Sequence, residues 1–279
     1  DRSRGPGLRA VRRRDAGPVA ERRVTAHGSL ATIGVLVRRA LNEITRVPGA
    51  AIPGVLAPTI FFLGLTSVFG SLTLLPGFTT HSYQSFLIPV SLLQGAAFTG
   101  AATGVNLARD IEQGWIDRLL ASPAPRPVLL AGLVLSASLR SLLPATFLLI
   151  VGLAMGVHWP GLLGLLIALS LVMGMAVVAA TWGTSLAFRF RTQSAAPVMQ
   201  VGMLLAVFLT TAYAPLELLT GWLQSVARIN PVTQVVEAVR QGFVGSVTWS
   251  DTWPGYVALF GLAAVLTMFA LRGMRRMTH

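Results

Sequence analysis

Residues Leu162 to Phe188 read LLGLLIALSLVMGMAVVAATWGTSLAF, a run without one ionisable side chain that is followed at once by Arg189. As a helix rising about 1.5 Å per residue it is roughly 40 Å long, more than the ~30 Å hydrocarbon core of a bilayer. A helix apolar on every side belongs in lipid or in the middle of a large core. Five further segments share the pattern: Ala50 to Leu75, Phe86 to Ala108, Val128 to Val157, Ala195 to Pro215 and Trp253 to Leu271. The fold class they set is an all-α integral membrane protein with six transmembrane helices.

Composition agrees with the runs. Hydrophobic residues make up 53% of the chain, charged residues 11%, and the mean hydropathy is +0.68. A water-soluble domain would lack the polar side chains to cover its surface. The basic residues are 22 Arg and no Lys, which excludes a Walker A lysine, a pyridoxal Schiff base and a retinal linkage. With no Cys, thiol nucleophiles, cysteine metal sites and disulfides are also excluded. His27, His81, His158 and His279 lie far apart, without metal-ligand spacing.

The formal charge of +12 points to a membrane surface and not to nucleic acid, because eleven Arg precede residue 50, ahead of the first long span. Residues 1–28 are Arg-rich with too little apolar surface to fold alone, and read as a disordered cytoplasmic tail. Ser29 to Val47 then place Leu30, Ile33, Val37, Leu41 and Ile44 at helical spacing among arginines, an interfacial helix that opens the membrane domain of residues 29–279. With both termini cytoplasmic, Arg109, Arg118, Arg126, Arg189, Arg191, Arg272, Arg275 and Arg276 join that inner set. Arg228 and Arg240 are left outside and Arg140 in the membrane. The inverted chain would reverse the asymmetry, so the expected location is a plasma (inner) membrane with both ends inside.

Arg140 is the single candidate for an intramembrane charge, and a helix position in the first half of its span lets it snorkel toward the inner headgroups. No carboxylate falls clearly within a span, which disfavours an ion-coupled carrier. Gln94, Thr99, Thr103 and Asn106 in the second span line a translocation path or bond neighbouring helices, and the sequence does not separate the two. Small residues recur at four-residue spacing in Ala96, Gly100 and Gly104, in Gly152 and Gly156, and in Gly202, Ala206 and Thr210, where helices can approach closely. Ser185 has no plausible His partner for a membrane enzyme.

Two connections are more than loops. Arg109 to Pro127 is expected to form a short charged helix closed by Pro123, Pro125 and Pro127. On a helical wheel from Ile111 to Leu120, Glu112 falls within the apolar face while Asp110, Gln113 and Asp117 lie on the polar side, so Glu112 should meet a cation. That cation is Arg109 on the same helix or a group on a docked partner. Between the fifth and sixth spans, Leu216 to Ile229 and Thr233 to Val244 are each too short to cross, and are expected to form a helical hairpin dipping into the outer leaflet with its turn at Asn230-Pro231. Glu217 and Arg240 are its available polar anchors.

The stretch from Ala108 to Arg126 resembles a signature of type-2 ABC exporter permeases: Asp110, Glu112, Gly114, Leu119, Leu120, Pro123 and Arg126 stand at matching positions. The hairpin, with Pro215 to Gln224, Arg228 to Thr233 and Glu237 to Arg240, is similar to the family's second signature, and the likeness within the family is to the daunorubicin-resistance type. Trp115 and Thr220 depart from the usual Thr and Pro. The resemblance implies a coupling role for Asp110, Glu112, Gly114, Trp115, Asp117, Leu119, Leu120 and Arg126 against a cytoplasmic ATPase dimer. It also implies an extracellular gate containing Glu217, Asn230, Pro231, Glu237 and Arg240. No cofactor is implied on this chain, since ATP and Mg belong to the ATPase. A second permease copy or a paralogue and membrane lipids complete the expected partners. The expected function is export of an amphipathic drug or lipid, with polysaccharide export, an ion-coupled carrier or a scaffold without transport as alternatives.

Overall fold

The computed structural model describes residues 52–74, 82–114 and 125–275, with Gly34, Phe78 and Thr80. The Arg-rich tail, nearly all of the interfacial helix and the loop residues Trp115, Asp117, Leu119 and Leu120 lie outside the described residues.

The described α-helices are α1 (Ile52–Phe69), α2 (Tyr83–Glu112), α3 (Arg126–Arg140), α4 (Leu142–Ala154), α5 (Gly161–Phe190), α6 (Ala196–Phe208), α7 (Gly221–Ile229), α8 (Pro231–Val244) and α9 (Trp249–Arg275). Five stretches are long and apolar enough to cross a membrane: Gly54–Leu74, α2, Pro127–Ala154, α5 and α9. The chain is therefore a multi-pass membrane protein.

Helix α2 is central. Its most apolar window is 83% buried against 17% for α9, and it packs on α1, α3, α4, α5, α6 and α8. Small residues make this possible. A Cβ built on Gly104 would lie 2.2 Å from the carbonyl carbon of Gly183, and one on Gly100 would lie 2.5 Å from Ala176 O. The backbones of α2 and α5 thus touch with no side chain between them, the role expected of the Gly100–Gly104 ridge. Both helices run in the same direction, ending beside the C-terminus of α9. There Leu107, Ala108, Ala187, Phe188, Ala270 and Met274 share one apolar cluster. Arg109, Arg189, Arg191, Arg272 and Arg275 are exposed around it, which defines a basic end. At the opposite, hairpin end stand the start of α2 and the α7–α8 pair.

The structure redraws several expected boundaries. The third span is broken at Ser141, where the Pro144 ring excludes the Arg140 carbonyl from helical bonding and Ser141 Oγ turns back to Ser138 O at 2.6 Å. The fifth apolar helix is shorter than expected, Gln193–Phe208 in place of Ala195 to Pro215. Leu209 leaves the helix with φ −84° and ψ 41°, and Thr210 Oγ1 bonds to Val207 O at 2.6 Å. The small ridge of that helix therefore stops at Ala206, and the one in α4 stops at Gly152 because Gly156 belongs to a turn at φ +87°. Ser185 Oγ donates to Thr181 O at 2.6 Å and to Leu266 O at 3.3 Å, joining α5 to α9.

Candidate functional site

At the basic end, α2 continues through Arg109, Asp110 and Glu112 and is then stopped by Gly114, whose φ of +67° is open to glycine at little steric cost. Gln113 N bonds to Arg109 O and Gly114 N to Ile111 O, both at 3.0 Å, closing the last turn. Glu112 therefore belongs to the end of α2, and the wheel that placed it on the apolar face of a separate helix does not hold. Glu112 is exposed at the end of α2. Its Oε1 accepts from Thr192 Oγ1 at 2.6 Å and from Gln193 N at 3.0 Å. Its partners within this chain are thus a hydroxyl and a backbone amide.

That contact follows from how α5 ends and α6 begins. Arg191 adopts the left-handed φ of 57° and turns the chain out of α5. Thr192 then caps a short 3-10 turn, accepting from Ser194 N at 3.3 Å, and leaves the Gln193 N–H without an intrahelical acceptor. A carboxylate there satisfies the donor and lies favourably against the positive end of the following helix. Asp110 is half-buried on the same last turn of α2, and Arg126 begins α3.

Of the four polar residues of the second span, Thr99, Thr103 and Asn106 share a face, while Gln94 lies roughly 140° around from Thr99 at about 100° per residue. Thr103 Oγ1 accepts from Arg140 Nη2 at 2.7 Å. Thr103 stands nine residues before the end of α2, so this bond lies roughly 13 Å inside the basic end at ~1.5 Å per residue. Arg140 thus leans back toward the start of its own helix and ends on a threonine of α2. Thr99 Oγ1 bonds to Gly95 O at 2.8 Å, and Gln94 is buried with its Nε2 making no hydrogen bond.

The hairpin end holds a charge that sequence reasoning did not place in the interior. Arg240 of α8 is 4% exposed. Its Nε donates to Phe86 O at 3.1 Å, Nη2 to Thr211 O at 2.7 Å, and Nη1 to Glu237 Oε1 at 2.7 Å and Thr211 Oγ1 at 3.4 Å. The guanidinium also sits 3.7 Å from the centre of the Phe86 ring. Glu237 accepts a second bond from Thr211 Oγ1. Arg240 is therefore paired with Glu237, one turn before it, and not with Glu217, which is exposed on the 3-10 turn Leu216–Leu218. The i, i+3 spacing of Glu237 and Arg240 in an apolar stretch was the available signal. Beside the pair a cavity of about 490 Å³ opens between α8 and the start of α9, bordered by Gln234, Gln241 and Asp251.

The turn falls at Asn230-Pro231 as expected, with α7 starting later than the expected segment, at Gly221. Asn230 Nδ2 donates to Ala206 O and Leu209 O at 2.8 Å each, capping the carbonyl end of α6, and Oδ1 accepts from Val232 N at 3.0 Å, capping the start of α8. Asn230, more than Pro231, holds the turn. Pro231→Ala is accordingly expected to lower stability by only about 0.5–1 kcal/mol, since an exposed proline at the first helical position acts mainly on the unfolded chain. Thermal unfolding of the purified protein in detergent checks this; a loss several times larger would assign the turn to the proline.

Residues 31–244 match the family model described as ABC-2 type transporter. The daunorubicin resistance ABC transporter permease protein DrrB1 of Streptomyces coeruleorubidus is 27% identical over 240 residues, covering 84% of this chain and 82% of the relative. The probable doxorubicin resistance ABC transporter permease protein DrrC of Mycobacterium tuberculosis is 26% identical over 259 residues, covering 92% and 91%. The putative transport permease ycf38 of Cyanophora paradoxa is 26% identical over 220 residues, covering 78% and 76%.

Proposed function

The chain belongs to the ABC-2 type transporter family, and from that premise we propose that it is the membrane-spanning permease subunit of an ATP-driven exporter for an amphipathic drug or lipid. The observation that carries the reading is the family match over residues 31–244. The relatives named for daunorubicin and doxorubicin resistance support the amphipathic substrate.

In this reading the basic end faces the cytoplasm, where exposed arginines meet anionic headgroups. The last turn of α2 and the loop after it, with Asp110, Glu112, Gly114, Trp115, Asp117, Leu119, Leu120 and Arg126, receive a dimer of ATPase subunits that carries the ATP and Mg. Helix α6, together with the segment that follows it, makes the fifth of six crossings. The α7–α8 hairpin enters the outer leaflet and gates release, with Asn230 at its turn. Trp222 and Ile229, 69% and 82% exposed, suit contact with acyl chains at that depth. Thr99, Thr103 and Asn106 form the polar side of the path, and a second permease copy or a paralogue completes it.

The test is co-purification. Expressed with the soluble ATPase encoded beside it, a chain bearing G-x-x-x-x-G-K-[ST], the tagged permease is expected to retain that ATPase through detergent extraction and show ATP-dependent export from inverted vesicles. Purification without any ATPase, together with transport driven by an ion gradient alone, would replace the reading by a secondary carrier.

A further inference from the structure

Helix α6 is short, and polar groups from elsewhere clasp both its ends. With its leading 3-10 turn it runs Gln193–Phe208, about 24 Å at ~1.5 Å per residue. At its start, Glu112 from the end of α2 accepts from Gln193 N and from the capping Thr192. At its finish, the Asn230 amide from the hairpin turn donates to Ala206 O and Leu209 O. Between the ends, Trp182 Nε1 of α5 donates to Met199 O at 3.3 Å. The Trp182 ring packs closely on Gly202, its Cζ2 standing 2.8 Å from where a Cβ would be, and Met199, Met203 and Val207 supply non-directional packing. An object held by directional bonds at its two ends and by apolar contact along its length transmits axial displacement better than it absorbs it.

We propose that α6 is a strut between the two ends of the subunit, with Thr192 and Glu112 at one end and Asn230 at the other as the positioning residues that convey movement of the ATPase-docking loop to the outer hairpin. Resting on the exporter reading, it specifies how that reading's two sites communicate. Helices α2 and α5, whose backbones touch at Gly104 and Gly183, move as one unit beside α6. An ATPase that shifts the end of α2 also moves the start of α6 through Glu112, and the finish of α6 carries Asn230 and the hairpin with it.

The experiment uses the whole permease with its ATPase in lipid vesicles. Because the chain has no Cys, Ser225→Cys on the exposed face of α7 can carry one environment-sensitive fluorophore that reports hairpin movement on addition of ATP and vanadate. Thr192→Val and Asn230→Ala, each alone, are expected to reduce that fluorescence change at least about fivefold, the size of a typical coupling between sites. The double variant should be no worse than the poorer single, since a strut released at one end has nothing further to lose. Unfolding stabilities of the same three variants should instead add, because the two ends are well over 10 Å apart. Thr192→Ser, which keeps the hydroxyl, should restore the signal. A double variant whose loss is the product of the singles, singles that move like the unmodified protein, or an unmodified complex that hydrolyses ATP without hairpin movement would each overturn the strut while leaving the exporter reading in place. Failure of any ATPase to bind the unmodified chain would overturn that reading and the strut together.

Discussion

Arg240→Ala is expected to give a permease that inserts but loses the fold of its hairpin end, with a stability loss of about 3 kcal/mol, the scale of breaking a buried ion pair from one side. The guanidinium is 4% exposed and ties three segments together: the first turn of α2 at Phe86 O, the irregular stretch after α6 at Thr211, and α8 at Glu237. Alanine leaves two carbonyl oxygens without that donor and a void against the Phe86 ring. Arg240→Lys should recover less than half of the loss, because an ammonium cannot reach Phe86 O, Thr211 O and Glu237 in the plane a guanidinium fits. Glu237→Gln should cost no more than about 1 kcal/mol, since Glu237 is 43% exposed and Gln keeps an acceptor. Unfolding in mixed micelles, followed by the fluorescence of the six Trp, orders the three variants. Equal stability of Arg240→Ala and the unmodified protein would show that the hairpin end is held by packing alone.

The second large effect is expected at Gly104. Any Cβ there would stand 2.2 Å from the carbonyl carbon of Gly183, a backbone atom that no rotamer change can move aside. Gly104→Val should therefore force α2 and α5 apart along the centre of the molecule, at about 3 kcal/mol or more, the upper range for overpacking. Little folded protein should be recovered from membranes. Two glycines serve as controls. Gly261→Ala meets no atom within 4 Å and should be neutral, and Gly174→Ala meets the mobile Leu259 Cδ1 at 2.7 Å and should be mild. Size-exclusion profiles of the three variants extracted in detergent provide the measurement; a monodisperse Gly104→Val would mean that the helices have room to separate.

The long spans were legible because a bilayer demands continuous apolarity, and Leu162 to Phe188 meets that demand almost to its structural limits of Gly161–Phe190. The Gly100–Gly104 ridge and the turn at Asn230-Pro231 were legible for a similar reason: small size and proline geometry are local properties. The shortness of α6 was not. Its sequence stays apolar through Ala214, and what ends the helix at Phe208 is a cap supplied by Asn230, more than twenty residues later. Glu112 was singled out as a carboxylate in need of a partner and given the wrong geometry, because the wheel assumed helix across Gly114. Arg240 was assigned to the outer side and offered as a polar anchor of the hairpin, without the interior partners it has. Its burial depends on Phe86 and Thr211, distant in sequence, and no local pattern announces such partners.

The contact between α2 and α5 also fixes how these two helices can move. Because they run in parallel, residues four apart on one face residues four apart on the other: Gly100 meets Ala179 while Gly104 meets Gly183. Sliding α2 by one turn would set Gly100 against Met175 in one direction and Ala96 against Ala179 in the other, each a bulkier pair than the Gly100–Ala179 contact now made. Neighbouring registers are thus disfavoured, and a screw or piston stroke between the two helices would have to climb over a side chain at each step. Rotation of the pair as a single body meets no such obstacle, so on the exporter reading movement of these helices is expected to be a swing of the α2–α5 unit and not a shear within it.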